Sequence, residues 1–542
     1  MSHPTAELTD APREVATTVR EREMNIVEGL RQIAASNPEK LAAICGHTRL
    51  TFGQTAERVN CLSNALAELG MTGGDRVAVL ALNCHRFFEL YYAVPQMGAV
   101  IVPINFRIPP AEVKYILDHS GARALAVDEA LTPLVDQIRP RLESVEHFIS
   151  ISDTPRREYL SYEALLADAS PDYPVAPLAG DELLGLFYTS GTTGEPKGVM
   201  LTHANVIANV RHIEASASYS SEEIYLHSAP MFHLADGAAT FSNANRGSTQ
   251  VFIPRFEPVA TLTAIERERV THALLVPTMI NFVLQVPDLA DYDLSSLRYV
   301  TYGASPIAPE VLRRAMRAFG CDFGQGYGLT EAAPLLTVLS ADDHRRAIQG
   351  DERLLASCGK PVAGVEVRVV KVDGRDVKPG EVGEIIARGP NIMRGYWRRD
   401  ADTANTVIDG WLYTGDLATV DEEGYLYLVD RKKDMIITGG ENVFSTEIEA
   451  ALYAHPAVKE AAVIGVPDAQ WGEAVHACVA LKDNHDISAD ALIEFCRQRL
   501  ASYKVPRSIE IIEGELPKGG TGKILKKQLR ERYWQGRERR VG

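Results

Sequence analysis

The chain has few cysteines and no sequence feature typical of a secreted or membrane protein. Its 542 residues include seven cysteines, an odd number, and no Cys-x-x-Cys pair. This pattern argues against a disulfide framework or a zinc site and suits a reducing cytoplasm. Residues 1–24 are polar and of mixed charge, unlike a signal or transit peptide, so we interpret them as a loosely held leader. No apolar run approaches the roughly 18 residues that span a bilayer, so we expect a cytoplasmic protein without integral membrane association.

The chain also lacks an excess of positive charge, a fixed-period repeat and low-complexity tracts. Its formal net charge of −16 at pH 7 argues against nucleic acid or an anionic membrane as the main partner. The hydrophobic content of 46% is ordinary for a globular protein, and the length allows several domains with a sizeable core.

Strand-like and helix-like segments alternate along much of the chain. Thr51-Phe-Gly-Gln54 fits a capping box at the start of a helix. The next segments predict strand, helix, strand, helix and strand at 77–82, 85–97, 99–103, 110–119 and 124–127, and further strands at 273–276 and 297–302. This alternation predicts right-handed βαβ units and a parallel sheet.

The sequence pattern changes after residue 361. Short alternating segments with glycine turns at 365–370, 383–387 and 425–428 predict a small antiparallel β subdomain. About 110 residues follow Asp430, enough for a compact α+β domain. We therefore predict an α/β protein with an N-terminal domain over 25–430 and a C-terminal domain over 431–542.

One stretch near the middle of the chain is rich in glycine and hydroxyl groups: Tyr188-Thr-Ser-Gly-Thr-Thr-Gly-Glu-Pro-Lys-Gly198. It follows an apolar run at 183–187 that predicts a buried strand. Its backbone N–H groups, hydroxyls and Lys197 can surround phosphate oxygens, and its glycines allow a close approach. It is not a Walker A loop, because Lys197 follows Gly194 by three positions without a subsequent Ser or Thr. From composition alone, a flexible loop explains the stretch equally well.

Further candidate residues follow the predicted strands. Gly303-Ala-Ser-Pro306 comes after the strand at 297–302, and ligands bind outside the carboxyl ends of parallel strands. In Gln325-Gly-Tyr-Gly-Leu-Thr-Glu331, the glycines let the Tyr327 ring lie against a planar group, and Glu331 is a hard carboxylate suited to Mg²⁺. A single glutamate is more often a surface charge, and His233 taken alone is more often structural than functional.

Three motifs in the last third of the chain have ordinary explanations when each is taken alone. Tyr413-Thr-Gly-Asp416 is typical of a turn. Asp430-Arg-Lys-Lys-Asp434 is typical of a solvated charge run. Leu516-Pro-Lys-Gly-Gly-Thr-Gly-Lys523 is not a Walker A loop, because proline stands at 517 and Ile524 replaces the Ser or Thr.

Together and in this order, these motifs resemble the signatures of the adenylate-forming enzymes, which include acyl-CoA synthetases, luciferases and peptide-synthetase adenylation domains. The resemblance extends over about residues 25–530 and is greatest to fatty-acid and aryl-acid CoA ligases. It implies a large N-terminal domain of two αβ subdomains and a small β subdomain, followed by a mobile α+β C-terminal domain.

The resemblance implies an ATP-dependent carboxylic acid:CoA ligase that uses ATP, Mg²⁺ and coenzyme A. The carboxylate of a small-molecule acid would attack the α-phosphate of ATP, giving acyl-AMP and pyrophosphate. The CoA thiolate would then attack the acyl carbonyl, so no protein nucleophile is needed. Lys523 would stabilise the charge that develops during adenylation, Glu331 would bind Mg²⁺, Thr330 would bond a phosphate and His233 would stand at the acyl pocket.

The same resemblance assigns the remaining site residues. Those expected to bind ATP are Thr189, Ser190, Gly191, Thr192, Thr193, Gly194, Lys197, Gly303, Ala304, Ser305, Gln325, Gly326, Tyr327, Gly328, Asp416 and Arg431. Lys433 would be the hinge pivot, and the residues expected at the CoA site are Gly439, Gly440, Trp471, Tyr503 and Lys504. The expected acyl pocket contains Leu234, Ala235, Gly237, Ala238, Tyr302 and Ala332. Because this set is mostly small and apolar, we expect a bulky or medium-to-long apolar acid.

Two other functions remain open from the sequence. The acyl group could be loaded onto the phosphopantetheine of an acyl carrier protein, and Val505 stands where relatives that bind free CoA have a basic residue. In the resemblance, the residue at His233 gates the acyl pocket, and amino-acid-activating relatives carry an aspartate directly after it. This chain has Leu234 there, although Asp236 is close. A catalytically silent nucleotide-binding protein is the other alternative, against which Lys523 and Glu331 argue. A monomer and a homodimer both fit the sequence.

Overall fold

The computed structural model describes residues 25–154, 156–173, 178–189, 195–216, 221–305, 307–483, 485–518 and 524–535. The predicted leader, residues 190–194 of the glycine-rich stretch, Pro306 and Lys523 lie outside the described residues.

The first large sheet has nine strands with a parallel centre. From one edge to the other, its strands are Lys360–Pro361, Leu335–Leu339, Asp322–Gly328, Tyr299–Gly303, His272–Leu274, Ile224–His227, Thr249–Phe252, Leu41–Cys45 and Thr48–Thr51. All neighbours from Asp322–Gly328 to Leu41–Cys45 are parallel. The pairs at both edges are antiparallel.

The second large sheet has eight strands and is parallel except at one edge. Its strands are Gly395–Tyr396, Lys197–Thr202, Leu183–Thr189, Val100–Pro103, Arg76–Leu80, Ala122–Val127, His147–Ser150 and Leu160–Ser161. Lys197–Thr202 is antiparallel to both of its neighbours. The glycine-rich stretch therefore lies at the point where the parallel pairing ends.

Two smaller sheets follow in the chain. The first is antiparallel and contains Glu366–Val370, Gly383–Arg388, Trp411–Val420, Val407–Ile408 and Leu426–Arg431. The second forms the C-terminal domain with Glu441–Val443, Ile436–Thr438, Gly472–Leu481, Val458–Asp468 and Ser508–Ile511. The domain boundary predicted after Asp430 falls inside the strand Leu426–Arg431 and stays a prediction.

The α-helices of the described residues are Val27–Ser36, Phe52–Glu68, His85–Gln96, Pro110–Ser120, Thr132–Ile138, Tyr162–Asp168, His203–Ser216, Leu234–Arg246, Pro258–Glu268, Pro277–Val283, Pro309–Phe319, Ala341–Gln349, Asp400–Thr406, Ser445–Tyr453, Ala489–Arg497 and Lys526–Glu531. Short 3₁₀ helices occupy Glu129–Leu131, Arg139–Arg141, Leu289–Asp291, Thr330–Ala332, Glu352–Ala356 and Ser502–Lys504. No helix within the described ranges is long and apolar enough to cross a membrane.

The helix His85–Gln96 lies in the core between the two large sheets. All its residues from Phe87 onward are buried, as expected for a helix that is apolar around most of its surface. Phe88 stacks on Phe252 of the first sheet, with ring centroids 6.0 Å apart. The same hydrophobic cluster contains Val79 of the second sheet. This shared core joins the two αβ subdomains.

The predicted α/β fold with a larger N-terminal and a smaller C-terminal domain is confirmed. The capping box is also present, since Gln54 N donates to Thr51 Oγ1 at 3.2 Å and Thr51 N donates to Gln54 Oε1 at 2.9 Å. The sequence also predicts a helix start near Ser445 or Thr446 with Glu449 completing a capping box. This capping box is wrong, since the helix Ser445–Tyr453 has no side-chain cap. Glu449 instead accepts from Val463 N at 2.8 Å. Its carboxylate therefore bonds to the neighbouring strand Val458–Asp468 and not to the first turn of its own helix.

Candidate active site

The glycine-rich stretch connects the two strands of a β-hairpin. Leu183–Thr189 pairs antiparallel with Lys197–Thr202, and Thr189 lies opposite Lys197. A Walker A loop joins a strand to a helix, so this topology agrees with the exclusion made from spacing. The phosphate contacts expected from Ser190, Gly191, Thr192, Thr193 and Gly194 stay predictions, because these residues lie outside the described part of the chain.

Charged residues hold the base of this hairpin. Lys197 Nζ lies 2.6 Å from Asp402 Oδ1 and 5.1 Å from the centroid of the Tyr396 ring. Glu195 forms an ion pair with Arg399. The Lys197 side chain is only 11% exposed. Its ammonium is therefore held at the hairpin base by one carboxylate and one aromatic ring.

Close packing explains why glycine occupies several of the positions that are expected to bind ATP. Gly303 and Gly326 are opposite each other on parallel strands, and a Cβ added at Gly303 would lie 2.3 Å from Gly326 O. A Cβ at Gly328 would lie 1.8 Å from Pro334 O. Ala304 has a left-handed φ of 65° and turns the chain at the strand end, before Ser305. Ligand contacts by these residues and Gln325 stay predictions.

Tyr327, Asp416 and Arg431 form one polar cluster. The Tyr327 hydroxyl donates to Asp416 Oδ2 at 2.9 Å, and Arg431 Nε lies 2.8 Å from Asp416 Oδ1. Asp416 and Arg431 are opposite each other on neighbouring strands of the small antiparallel sheet. Burial, and next the Asp416 charge, raise the pKa of Tyr327 well above its ordinary value, so the phenol keeps its proton. An aromatic ring, a carboxylate and a guanidinium thus meet at one point.

Glu331 lies in the short helix Thr330–Ala332, directly after the strand that carries Tyr327. Its Oε1 accepts from the Tyr396 hydroxyl at 2.7 Å, and its carbonyl accepts from Met393 N at 2.8 Å. No described residue donates to Oε2. A half-buried carboxylate with one oxygen available fits a cation such as Mg²⁺, which takes few protein ligands and binds substrate phosphates as well.

Several residues expected in the acyl pocket have clear packing contacts. His233 caps the helix Leu234–Arg246, with Ala235 N donating to His233 Nδ1 at 3.3 Å. A Cβ at Gly237 would lie 2.8 Å from Tyr91 Oη, so glycine permits close packing there. Among the other expected residues, those that are fully or almost fully buried are Leu234, Ala238, Tyr302 and Ala332.

Tyr302 belongs to the core. Its hydroxyl lies 2.9 Å from His344 Nε2, and its ring packs near His344 and Phe323. The side chain therefore points into the domain, and only its backbone at the strand end stays a candidate for the pocket wall.

Asp236 is part of a buried polar network. The Tyr225 hydroxyl donates to its Oδ1 at 3.1 Å, and His227 Nδ1 lies 2.8 Å from its Oδ2. His227 Nε2 lies 2.9 Å from Gln250 Oε1. Because Asp236 is fully buried and already paired, it is not available at a pocket surface to hold the ammonium of an amino acid.

Residues around the predicted pivot Lys433 bond to both domains. Lys432 N donates to Gly415 O at 2.9 Å, and Lys432 Nζ donates to Glu384 Oε2 at 2.9 Å. On the other side, Lys433 O accepts from Arg530 Nη1 at 3.0 Å. Contacts to the C-terminal domain also precede this peptide, since Ser445 Oγ donates to Asp430 Oδ2 at 2.8 Å and Thr446 Oγ1 donates to Val429 O. The pivot at Lys433 therefore stays a prediction.

The residues expected at the CoA site lie in the C-terminal domain. Gly439 N donates to Trp471 O at 2.8 Å, and a Cβ at Gly439 would lie 2.6 Å from Trp471 Cε3. Gly440 follows with φ of 88°. The Trp471 ring therefore lies directly on the glycine loop. Tyr503 and Lys504 form a short helix that packs against the strand Glu441–Val443.

Two features of this site were not predicted from the sequence. Arg507 Cζ lies 4.8 Å from the Trp471 ring centroid, two residues beyond the apolar Val505 that replaces an expected basic residue. The second feature is residues 391–402, whose backbone bonds both to the β-hairpin strand Lys197–Thr202 and to the turn that carries Glu331. Their signal was a cluster of aromatic and charged residues, Tyr396-Trp-Arg-Arg-Asp400, in a region predicted to be only a β subdomain.

A second group of metal-ligand residues in the C-terminal sheet is already satisfied by hydrogen bonds. It consists of His476, Cys478 and Glu510. His476 contacts Ser508 Oγ at 2.7 Å and Tyr533 Oη at 2.9 Å. These contacts attach the C-terminal residues to the sheet and account for the group without an ion.

The chain matches two family models along most of its length. The model described as AMP-binding enzyme matches residues 30–397, and the AMP-binding enzyme C-terminal domain matches residues 447–523. A feruloyl-CoA synthase from Amycolatopsis sp. is 40% identical over 502 residues, which cover 92% of this chain and 97% of the relative. The long-chain-fatty-acid–CoA ligase FadD13 of Mycobacterium tuberculosis H37Rv is 36% identical, over 94% and 98% of the two chains.

Solved structures show the same relationship. The anthranilate CoA ligase AuaEII in complex with anthranoyl-AMP superposes with a TM-score of 0.86 at 30% identity, covering 94% of this chain and 98% of that chain. The match of both family models and the near-complete coverage of these relatives confirm the resemblance inferred from the motifs. The chain belongs to the AMP-binding enzyme family of adenylate-forming proteins, in which it is an ATP-dependent acid:CoA ligase that works through an acyl-AMP intermediate.

Proposed function

We propose that this ligase activates a bulky aryl or medium-to-long fatty acid rather than acetate or an amino acid. The observation that carries the proposal is the burial of Asp236, whose two oxygens are taken by Tyr225 and His227. The start of the helix Leu234–Arg246 consequently offers apolar residues and no free carboxylate for an ammonium group. The named substrates of two relatives, a feruloyl and a long-chain fatty acyl group, support an apolar acid.

In the proposed first half-reaction, the hairpin with strands Leu183–Thr189 and Lys197–Thr202, which we call the phosphate hairpin, binds the ATP phosphates together with the Lys197 ammonium. Tyr327 lies against the adenine, and Asp416 accepts hydrogen bonds from the ribose hydroxyls, sharing the carboxylate with Arg431. Glu331 would hold Mg²⁺, which would offset phosphate charge when bound. Lys523 would stabilise the negative charge that develops between the attacking carboxylate and the α-phosphate.

In the proposed second half-reaction, the C-terminal domain turns about Lys433. The Lys523 loop would leave the acyl-AMP, and the Gly439–Gly440 loop would line the path of the CoA thiol. A short pivot is sufficient for such a rotation, because few backbone dihedrals need to change. The Trp471 ring with Arg507 above it offers an aromatic face and a cation to the CoA nucleotide.

A substrate panel tests the acid class. Purified enzyme is incubated with MgATP, CoA and a pool of acetate, amino acids, hydroxycinnamates and fatty acids of increasing length, and thioesters are identified by mass spectrometry. Each buried methylene contributes about 0.8 kcal/mol, so kcat/KM should rise steeply with apolar size until the pocket is filled. A preference for acetate or an amino acid would show that the proposed class is wrong.

The same assay shows whether CoA or an acyl carrier protein is the acyl acceptor. In one arm CoA is replaced by a holo-acyl carrier protein, and in another no acceptor is added. Release of pyrophosphate with thioester formed on CoA supports the proposal. Acyl transfer to the carrier protein at a higher rate than to CoA would instead assign the carrier-protein function.

A further inference from the structure

Residues 391–402, which we call the bridging segment, contact both the phosphate hairpin and the turn that carries Glu331. Arg394 N donates to Met200 O at 3.0 Å, and Trp397 N donates to Gly198 O at 2.8 Å. On the other side, Met393 N donates to Glu331 O at 2.8 Å. The backbone of one segment therefore sets the distance between the hairpin and the turn.

The bridging segment also holds the turn through a side chain. Asn391 Nδ2 donates to Ala332 O at 2.7 Å and to Leu335 O at 2.9 Å. Asn391 is fully buried. Its bonds hold the backbone directly after Glu331, so the carboxylate projects from a turn that is tied down on both sides.

Tyr396 is the residue of this segment that touches both expected phosphate-handling groups. Its hydroxyl donates to Glu331 Oε1 at 2.7 Å, and its ring centroid is 5.1 Å from Lys197 Nζ. The tyrosine is 6% exposed. The hydroxyl is the donor of this hydrogen bond, because an ionised carboxylate can only accept.

This contact restricts the Glu331 side chain. A carboxylate that accepts one hydrogen bond from a buried donor loses rotational freedom, and its second oxygen is then presented in a defined orientation. Partners of this kind orient metal ligands, and their removal costs about tenfold or more in metal affinity. The tyrosine ring also restricts Lys197, whose ammonium is paired with Asp402.

We propose that Tyr396 is a positioning residue for the adenylation half-reaction, which fixes Glu331 for the divalent cation and Lys197 beside the phosphates. This inference rests on the proposed role of Glu331 as the Mg²⁺ ligand. Tyr396 acts through these two side chains and does not itself contact the reacting atoms.

The test uses Tyr396→Phe, which keeps the ring and removes the hydroxyl. Mn²⁺ replaces Mg²⁺, and its binding to the complex with the non-hydrolysable α,β-methylene analogue of ATP is measured by electron paramagnetic resonance. We expect the Mn²⁺ affinity to fall about tenfold. In the activity assay, the Mg²⁺ concentration for half-maximal pyrophosphate release should rise by a similar factor, whereas the KM for the acid stays unchanged.

The matched control is Tyr159→Phe. Tyr159 is also 6% exposed and donates to an aspartate, Asp136 Oδ1, at 2.8 Å in the same domain. This variant should bind Mn²⁺ like the unmodified enzyme. Thermal unfolding of both variants checks that the fold is retained, and excess Mg²⁺ should restore the rate of Tyr396→Phe.

The variant Glu331→Gln shows whether a negative result contradicts the positioning role of Tyr396 or the metal-binding role of Glu331. If Glu331→Gln weakens Mn²⁺ binding and Tyr396→Phe does not, the positioning role of Tyr396 is wrong and the metal assignment stands. If neither variant changes Mn²⁺ binding, Glu331 is not the metal ligand and both proposals fail.

Discussion

The nucleotide side and the acyl side of the candidate site are built differently. On the nucleotide side, the residues singled out by the motifs contact one another or charged neighbours, as in the cluster of Tyr327, Asp416 and Arg431. On the acyl side, Leu234 and Tyr302 are buried in the core, and both oxygens of Asp236 are bonded to buried side chains.

This difference has a physical cause. A buried charged or polar side chain must have a partner, so a cluster of such residues retains its geometry as a unit. Small and apolar residues pack wherever shape allows, and the same alanine or glycine serves the core or a pocket. The nucleotide side is therefore defined by identifiable contacts, whereas the acyl side is defined by the space left between packed elements. Four variants test this distinction.

The largest effect is expected for Lys523→Ala. Loss of a cation that stabilises developing charge should lower adenylation about a thousandfold. Because the proposed second half-reaction uses a different orientation of the C-terminal domain, the variant should still convert supplied acyl-AMP and CoA to thioester. The two half-reactions are followed by pyrophosphate release and by thioester formation. Equal loss of both in a folded variant would contradict domain alternation.

Asp416→Ala removes the carboxylate at the centre of the nucleotide cluster. It leaves the Tyr327 hydroxyl and Arg431 without their partner, and a hydrogen bond to a charged group contributes about 1.5–3 kcal/mol. The KM for ATP should therefore rise roughly tenfold to a hundredfold, with the KM for the acid unchanged. Both constants are measured by pyrophosphate release under otherwise saturating conditions.

Asp421→Ala is the matched control for this change. Asp421 also pairs with a tyrosine and an arginine, through the Tyr427 hydroxyl at 3.0 Å and Arg353 Nη1 at 2.7 Å. An equal rise in the KM for ATP in the control would show that Asp416 acts through stability of the small sheet and not through the nucleotide.

Gly439→Ala extends the comparison to the C-terminal domain. The added Cβ would lie 2.6 Å from the Trp471 ring at a left-handed φ of 61°, so the ring has to leave the loop. We expect the KM for CoA to rise about tenfold, equivalent to 1.4 kcal/mol, while adenylation is unchanged. Gly514→Ala carries the same backbone strain at φ of 85° but meets no neighbouring atom within 4 Å, and it should leave the KM for CoA unchanged.

The smallest effect on catalysis is expected for Asp236→Asn, on the acyl side. The amide keeps the shape but lacks the charge that faces His227, so the free energy of unfolding should fall by about 1–3 kcal/mol. Urea denaturation measures that loss, and the substrate panel should show the same order of acids. Activation of a different acid class by this variant would place Asp236 at the pocket surface.

Local interactions were predictable from the sequence because their partners are a few residues apart. The capping box at Thr51 and Gln54 and the buried helix His85–Gln96 follow from spacing and apolar pattern alone. The long motifs also indicated ATP-dependent adenylation, because Lys197, Glu331 and Asp416 stand at fixed positions within them. The capping box predicted near Ser445 or Thr446 was wrong because Glu449 instead accepts from Val463 N and pairs with Lys526.

The sequence by itself therefore determined the order of strands and helices, the family and the set of polar residues available for nucleotide chemistry. Only the tertiary structure decided which of them meet. Lys197 pairs with Asp402 across 205 residues, and Tyr327 meets Asp416 across 89. Such partners depend on the order of strands in the sheets and on the path of the bridging segment, which no local pattern specifies. The burial of Asp236 also depends on tertiary packing, because its carboxylate is paired with Tyr225 and His227 of the strand Ile224–His227. His227 is bonded in turn to Gln250 of the next strand.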